Sequence, residues 1–262
     1  MIRRLISIPV LLLLATVAHA DIDLDKYRLV DLSHAYGEDT LYWPTSPTAF
    51  QKETLAYGDS GAGYFYSAFA VCTPEHGGTH LDSPIHFAQG GMSTEELPLD
   101  NLVAPAVVID VTAAAESDRD YLVSAADVEA FEREHGRIAS GTIVLARTDW
   151  SEFWPDAIGY LGDDTPGDAS RLSFPGFGAD AVRLLAEERQ VAMLGIDTAS
   201  IDYGKSQDFI AHRIGAAAGV ANLENLTNLA ALPPTGSIVM ALPMKIEGGS
   251  GGPVRVVALV PR

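Results

Sequence analysis

Residues 76 to 87 read HGGTHLDSPIHF, a run dense in side chains that can bind metal. The chain has seven histidines. His19 falls in a leader described below, and three of the other six lie in this one stretch, where chance placement would put about 0.3. Gly77, Gly78 and Pro84 argue against a continuous helix, because two glycines and an internal proline each weaken one. In an extended chain His76, His80, Asp82 and His86 share sequence parity and can project to one side. Two imidazoles and a carboxylate converging on one point suit zinc or manganese. Three protein ligands with a fourth position open describe a catalytic site better than a structural one. A histidine-rich surface loop without function is the alternative, and it leaves the rigid Gly/Pro frame unexplained.

A second group of ligand types follows in SQDFIAHRIG and GVANLENL. His212 and Glu224 lie twelve residues apart among mostly apolar neighbours, so a buried Glu224 needs a partner. A metal ion is one candidate. A pairing with Arg213, or a place on a helix surface, is the other, and spacing leaves both open. His34, beside Ser33 near a strand end, could support the site from behind, but a local hydrogen bond is the expected role. His135, next to Gly136, suits a helix C-terminus. Gly248, Gly249, Gly251 and Gly252 read as a flexible turn and not a phosphate loop, since no Lys-Ser/Thr ending or helix follows.

The elements that must position these residues are mostly short strands. Leu29 to Ser33, Val107 to Val111, Thr142 to Arg147, Val191 to Ile196, Ser237 to Leu242 and Val254 to Val260 are β-branched runs bounded by Gly, Pro or Asp. Ser124-Ala-Ala-Asp127 predicts a capping box for a helix reaching about Glu134, and Ala179 to Arg189 carries apolar residues at helical spacing. The pattern predicts one α/β or mixed α+β layered domain without repeated βαβ units. Trp150 to Phe177, rich in Asp, Gly and Pro, is expected to be a surface loop bordering a site.

Residues 1–20 read as a secretory signal peptide: Arg3 and Arg4, an apolar run from Leu5 to Leu14, then Ala18-His19-Ala20. The apolar run is shorter than the ~20 residues a bilayer span needs. A mature domain over residues 21–262, periplasmic or secreted and free of the membrane, is expected. Loss of Arg3 and Arg4 takes the net charge from −18 to −20, which argues against nucleic acid and anionic membranes. Cys72 is the single cysteine, so no internal disulfide or cysteine-rich zinc site can form. Stability must come from an ordinary core, which a chain of this size can build as one domain.

HGGTHLDSPIHF resembles the signature HxGTHxDxPxHF of the metal-dependent cyclase and kynurenine formamidase (arylformamidase) family at every fixed position. The resemblance extends to DLSHAYGEDTLYWP, GIDTASIDYGKSQDFIAHRI and LPMKIEGGSGGPVRVVALVP, and so spans nearly the whole mature chain. It implies a swivelling β/β/α domain in homodimers or homotetramers. It also implies that His76, His80 and Asp82 bind one Zn2+ or Mn2+, with Asp82 bridging to a second ion at His212 and Glu224 touching both. His86 becomes the proton donor and acceptor, and Trp43 a wall against an aromatic substrate, although a core or rim aromatic is the equal alternative for Trp43.

The activity implied is cleavage of a small aromatic amide, as in N-formylkynurenine. The segment EHGRIASGTIVLARTDW and the C-terminus are similar to isatin hydrolases, which open a lactam ring, whereas Glu224 in its ENL setting fits the formamidase branch. An ion at the first three residues would lower the pKa of water from ~15.7 toward 7 and polarise the carbonyl. His86, as an imidazole titrating near neutrality, would pass a proton to the departing nitrogen. The rival from another class is an exported metal-binding protein without catalysis. Such a carrier gains nothing from His86 or an aromatic wall and shows no metal-dependent turnover.

Overall fold

The computed structural model describes residues 23–262, and the leader expected over residues 1–20 lies outside them. Twelve strands are formed among the described residues. They are β1 (Tyr27–Asp31), β2 (Gln51–Asp59), β3 (Phe65–Cys72), β4 (His80–Asp82), β5 (Val103–Asp110) and β6 (Leu122–Val123), then β7 (Ile143–Arg147), β8 (Gly176–Phe177), β9 (Met193–Ile196), β10 (Ala221–Glu224), β11 (Ser237–Pro243) and β12 (Gly251–Pro261). Eight of them form one mixed sheet in the order β1-β12-β11-β5-β7-β9-β10-β4. Within it β5, β7, β9 and β10 run parallel to one another, and the remaining pairings of this sheet are antiparallel.

The long strand β12 closes this sheet. Its C-terminal half pairs with β1 and its first residues pair with β4, Gly251 opposite Asp82 and Pro253 opposite His80. Closure satisfies the backbone groups that an open edge would leave bare, and it locks the short β4 between β10 and β12. The expected mixed α+β domain is therefore a barrel-like sheet with helices packed outside it.

Period-2 alternation divides the core. Ile143 and Leu145 of β7 join the cluster inside the sheet with Leu81, Met193 and Leu223. Val144 and Ala146 face the other way, against Val128 and Phe131 of the helix Ala125–His135, and against Val182 and Leu185. That helix begins as expected, with Ser124 and Asp127 forming the capping box, and it ends at Gly136. The segment Ala179–Arg183 continues into a π-helical turn, Leu184–Glu188.

Three expectations need correction. Trp150 to Phe177 is more than a surface loop, because Tyr160, Leu172 and Phe174 are fully buried and build a third core cluster with Trp150 and Leu161. The glycine-rich segment is not a free turn either, since Gly251 and Gly252 are paired residues of β12. His34 does not make the local hydrogen bond expected of it: its backbone N–H donates to the distant Thr79 Oγ1, its ring stacks on Trp154 at 4.2 Å, and its buried Nε2 has no partner among the described residues. Among the described residues no helix is long and apolar enough to cross a membrane.

Candidate active site

The side chains of the motif converge, though by two different devices. His80 and Asp82 alternate along β4 and so point the same way. The antiparallel register sets Glu224 of β10 directly opposite His80 and Asn222 opposite Asp82, which delivers Glu224 to the same face. His86 does not follow the extended parity expected of it. Pro84–His86 is a single 3₁₀ turn, and this turn swings the His86 ring onto that of His76, centroids 3.8 Å apart and nearly parallel.

His212 arrives from the second group of ligand types, on the helix Ile210–Ala217 that precedes β10. Asp202 fixes it. One carboxylate oxygen accepts the Ala211 N–H at 3.0 Å, and the other accepts the His212 N–H at 3.1 Å and faces His212 Nδ1 at 2.7 Å. Asp82 Oδ1 lies 2.6 Å from His76 Nδ1 and 3.2 Å from His80 Nε2, while Oδ2 lies 3.1 Å from His212 Nε2. Glu224 likewise spans the cluster, Oε1 at 3.0 Å from His212 and Oε2 at 3.4 Å from His80. Arg213 is not its partner; Glu224 Oε1 instead accepts the Ile201 N–H at 2.8 Å.

Donor counting tests whether this set suits a cation. Each imidazole has committed its outer nitrogen: His212 Nδ1 to the Asp202 carboxylate, His80 Nδ1 to the Gly78 carbonyl at 2.9 Å, and His76 Nε2 to Ser250 Oγ at 2.8 Å. Carboxylate and carbonyl oxygens only accept. In neutral rings the inner nitrogens of His212 and His80 are therefore lone pairs, and they face carboxylate oxygens that are acceptors too. Either protons or shared cations must fill the gaps. Protons alone would require His80 to be raised to about 9, against the opposing effect of burial, by Asp82 and Glu224. They would also require His212 to be held well above its ordinary range by Asp202, Asp82 and Glu224, again against burial. Among the described residues two sets have atoms mutually close enough for an ion, His76-His80-Asp82 and Asp82-His212-Glu224, and Asp82 belongs to both. Two imidazoles with one carboxylate, and one imidazole with two, are donor sets that fit zinc or manganese.

A pocket of about 280 Å³ opens over the cluster. Its apolar wall includes Trp43, Phe87, Leu161 and Phe209. Trp43 packs edge-on against Phe174 at 6.3 Å and tilts toward Phe209 at 6.1 Å, so it is a rim aromatic and a pocket wall together. His86 lines the same pocket. Burial is the largest influence on it and, with the neighbouring imidazoles, outweighs the attraction of Asp82, so its pKa falls to about 4 rather than staying near neutrality.

The Cyclase family model matches residues 30–203 of the sequence. The chain belongs to the cyclase family. The isatin hydrolase of Roseibium aggregatum is 35% identical over 252 residues, covering 90% of this chain and 93% of that protein. The kynurenine formamidase of Salinibacter ruber is 31% identical over 229 residues, covering 87% and 96%. In structure, isatin hydrolase A from Labrenzia aggregata bound to benzyl benzoate superimposes with a TM-score of 0.82 at 32% identity, covering 91% of this chain and 95% of that one.

In this cyclase-family chain all seven residues singled out in the sequence meet at one pocket: Trp43, His76, His80, Asp82, His86, His212 and Glu224. Sequence reading missed Asp202, Asn225 and Ser250, which hold the imidazoles from outside, and Phe209 in the wall. Asn225 donates its side-chain amide to the Gly78 carbonyl at 2.8 Å, the same oxygen that orients His80. Phe209 carried a signal only in retrospect: with φ 50° it sits in the left-handed region, immediately before the helix that bears His212.

Proposed function

We propose that this chain cleaves the carbon–nitrogen bond of a small aromatic amide, an arylformamide of the N-formylkynurenine type, as a metal-dependent hydrolase. The observation that carries the reading is the convergence of three inward imidazole nitrogens and two carboxylates beneath an aromatic pocket. Kynurenine formamidases among its relatives support the substrate class. The isatin hydrolase structure bound to benzyl benzoate supports an aromatic occupant of the pocket.

His76, His80 and Asp82 would hold one divalent ion, and His212 and Glu224 with the second Asp82 oxygen another. When bound, such ions supply Lewis acidity toward a carbonyl oxygen and lower the pKa of water. The protein side chains do the rest. Trp43, Phe87 and Phe209 hold the aromatic ring and exclude bulk water, which strengthens every charge interaction in the pocket. His86 enters the reaction neutral, so it first accepts a proton from the attacking water on a ring nitrogen and then releases it to the departing substrate nitrogen. Its stack on His76 keeps the ring from turning away.

A lactam-opening activity on isatin is the second reading, supported by the 35% identity and the fold match to isatin hydrolases. Glu224 supports the formamide reading through its ENL setting, which resembles the formamidase branch. Metal analysis with assays of N-formylkynurenine and isatin, with zinc and with manganese, tests both. A higher kcat/KM for isatin selects the second reading, and metal bound without turnover of either selects a non-catalytic binding protein. The N-terminal pattern supports export to the periplasm or beyond. Self-association into a dimer or tetramer is supported by the hairpin β2–β3, which exposes Leu55, Tyr57, Phe65 and Val71; a monomeric mass by light scattering at micromolar concentration would remove that part.

A further inference from the structure

We propose that Glu75 and Ser250 are positioning residues for His76, a hydrogen-bonded pair that dictates which of its ring nitrogens is offered to a divalent cation; this rests on the ion-binding reading of His76, His80 and Asp82. Ser250 Oγ lies 2.6 Å from Glu75 Oε2 and 2.8 Å from His76 Nε2, and the Ser250 N–H donates to the same Glu75 oxygen at 3.0 Å. A carboxylate has no proton to give, so the hydroxyl donates to Glu75. A lone pair of the hydroxyl is then what His76 meets, and Nε2 must carry the ring proton. Nδ1 is left bare, 2.6 Å from Asp82 Oδ1. Glu75 and His76 are themselves 4.0 Å apart, too far for a direct hydrogen bond, so the serine transmits the effect.

The frame around Ser250 is built for this task. Its carbonyl accepts the Ser83 N–H at 2.8 Å, and the Gly249 carbonyl accepts the Thr94 N–H at 2.9 Å. Gly251 pairs with Asp82 across β12 and β4. A Cβ at Gly251 would lie 2.6 Å from His76 Cε1 and 2.5 Å from the Leu81 oxygen, so only glycine lets the imidazole lie against this strand. The glycine-rich segment between β11 and β12 thus acquires a role that composition alone did not suggest. Asp202 acts on His212 in a similar way but is buried and holds the start of a helix, whereas the Glu75–Ser250 pair is only half-buried.

The test uses Ser250→Ala, Ser250→Thr, Glu75→Gln and the Glu75→Gln/Ser250→Ala double variant in the full mature chain. Each is titrated with zinc and with manganese against a competing chelator, and cobalt-loaded samples are compared by visible absorption. Ser250→Ala and Glu75→Gln are each expected to weaken one of the bound ions about 10- to 100-fold, the cost typical of losing such an outer contact. The other ion's affinity and the thermal melt are expected to stay unchanged. Ser250→Thr, which keeps the hydroxyl, is expected to bind within about threefold of the parent, and the double variant to be no weaker than Ser250→Ala alone. The proposal is overturned if the parent binds ions and Ser250→Ala binds them equally well, or if both ions weaken together. A parent that binds no ion overturns the ion-binding reading itself, and that failure is visible before any variant is compared.

Discussion

Asp202 Oδ2 stands 2.7 Å from His212 Nδ1, so the imidazole donates its outer proton to a buried carboxylate and its inner nitrogen is turned toward Asp82 and Glu224. Asp202→Asn keeps the shape but sets an amide group where that oxygen was. An amide nitrogen there would donate to Nδ1 and drive the ring proton to the inner side. The variant is expected to lose the ion held by His212 and keep the one held by His80. Because Asp202 also accepts two helix N–H groups, stability should fall by about 1 kcal/mol, as for a lost cap. Metal content by elemental analysis and a denaturant melt check the two parts separately, and full occupancy of both sites would contradict the assignment.

Asp82 is the shared ligand of both candidate ion sets, whereas His212 belongs to one. Asp82→Ala is expected to abolish binding of both ions and all turnover. His212→Ala is expected to retain one ion. Chelation of the parent should remove activity, and zinc or manganese should restore it. An enzyme fully active after exhaustive chelator treatment would end the metal-dependent reading.

His86 and Trp43 face the same pocket with different tasks, and kinetics can separate them. His86→Ala is expected to keep its metal and lose about 10²- to 10⁴-fold in kcat, the range for a lost general acid–base. Trp43→Ala is expected to raise KM for aromatic substrates by about 3- to 10-fold, the worth of one aromatic pair, with kcat little changed. Unchanged KM for Trp43→Ala would assign that residue to the rim packing against Phe174 alone.

The motif was legible because its ligands are local in sequence, and because Gly77, Gly78 and Pro84 forbid a helix. What escaped lies in contacts that no local spacing encodes: Ser250 meets His76 across 174 positions, and Asn225 meets Gly78 across 147. Strand β4 was expected only as an extended stretch and was not among the strands read, because three residues are too few for alternation to register. The hairpin β2–β3 exposes both its faces, so its sequence carries no polar/apolar alternation. The helix bearing His212 starts after Phe209 without a Ser, Thr, Asp or Asn side-chain cap, since Asp202, eight residues before its first turn, serves its N–H groups from outside. The capping box at Ser124 and the β-branched run that forms β7 were read correctly, as each is a rule about near neighbours.

Asp197, at the end of β9, gives a dependence on pH that is independent of the ion sites. It is 1% exposed and accepts the Thr148 N–H and hydroxyl at 3.0 and 2.6 Å. Burial nevertheless dominates and raises its pKa to about 6, with the Thr148 bonds pulling the other way. In the unfolded chain an aspartate titrates near ~3.9. Below that pH both states are protonated and there is no penalty. As pH rises toward 6 the unfolded chain releases its proton first and is favoured; above 6 both states are ionised and the loss is constant. Two pKa units correspond to about 3 kcal/mol. Asp197→Asn cannot ionise, so the stability of the parent minus that of the variant is expected to fall by up to about 3 kcal/mol between pH 4 and pH 7 in urea melts. Proton-driven release of ions affects both proteins alike and cancels in the difference. A difference that stays flat across this range would show that Asp197 is not held protonated by its burial.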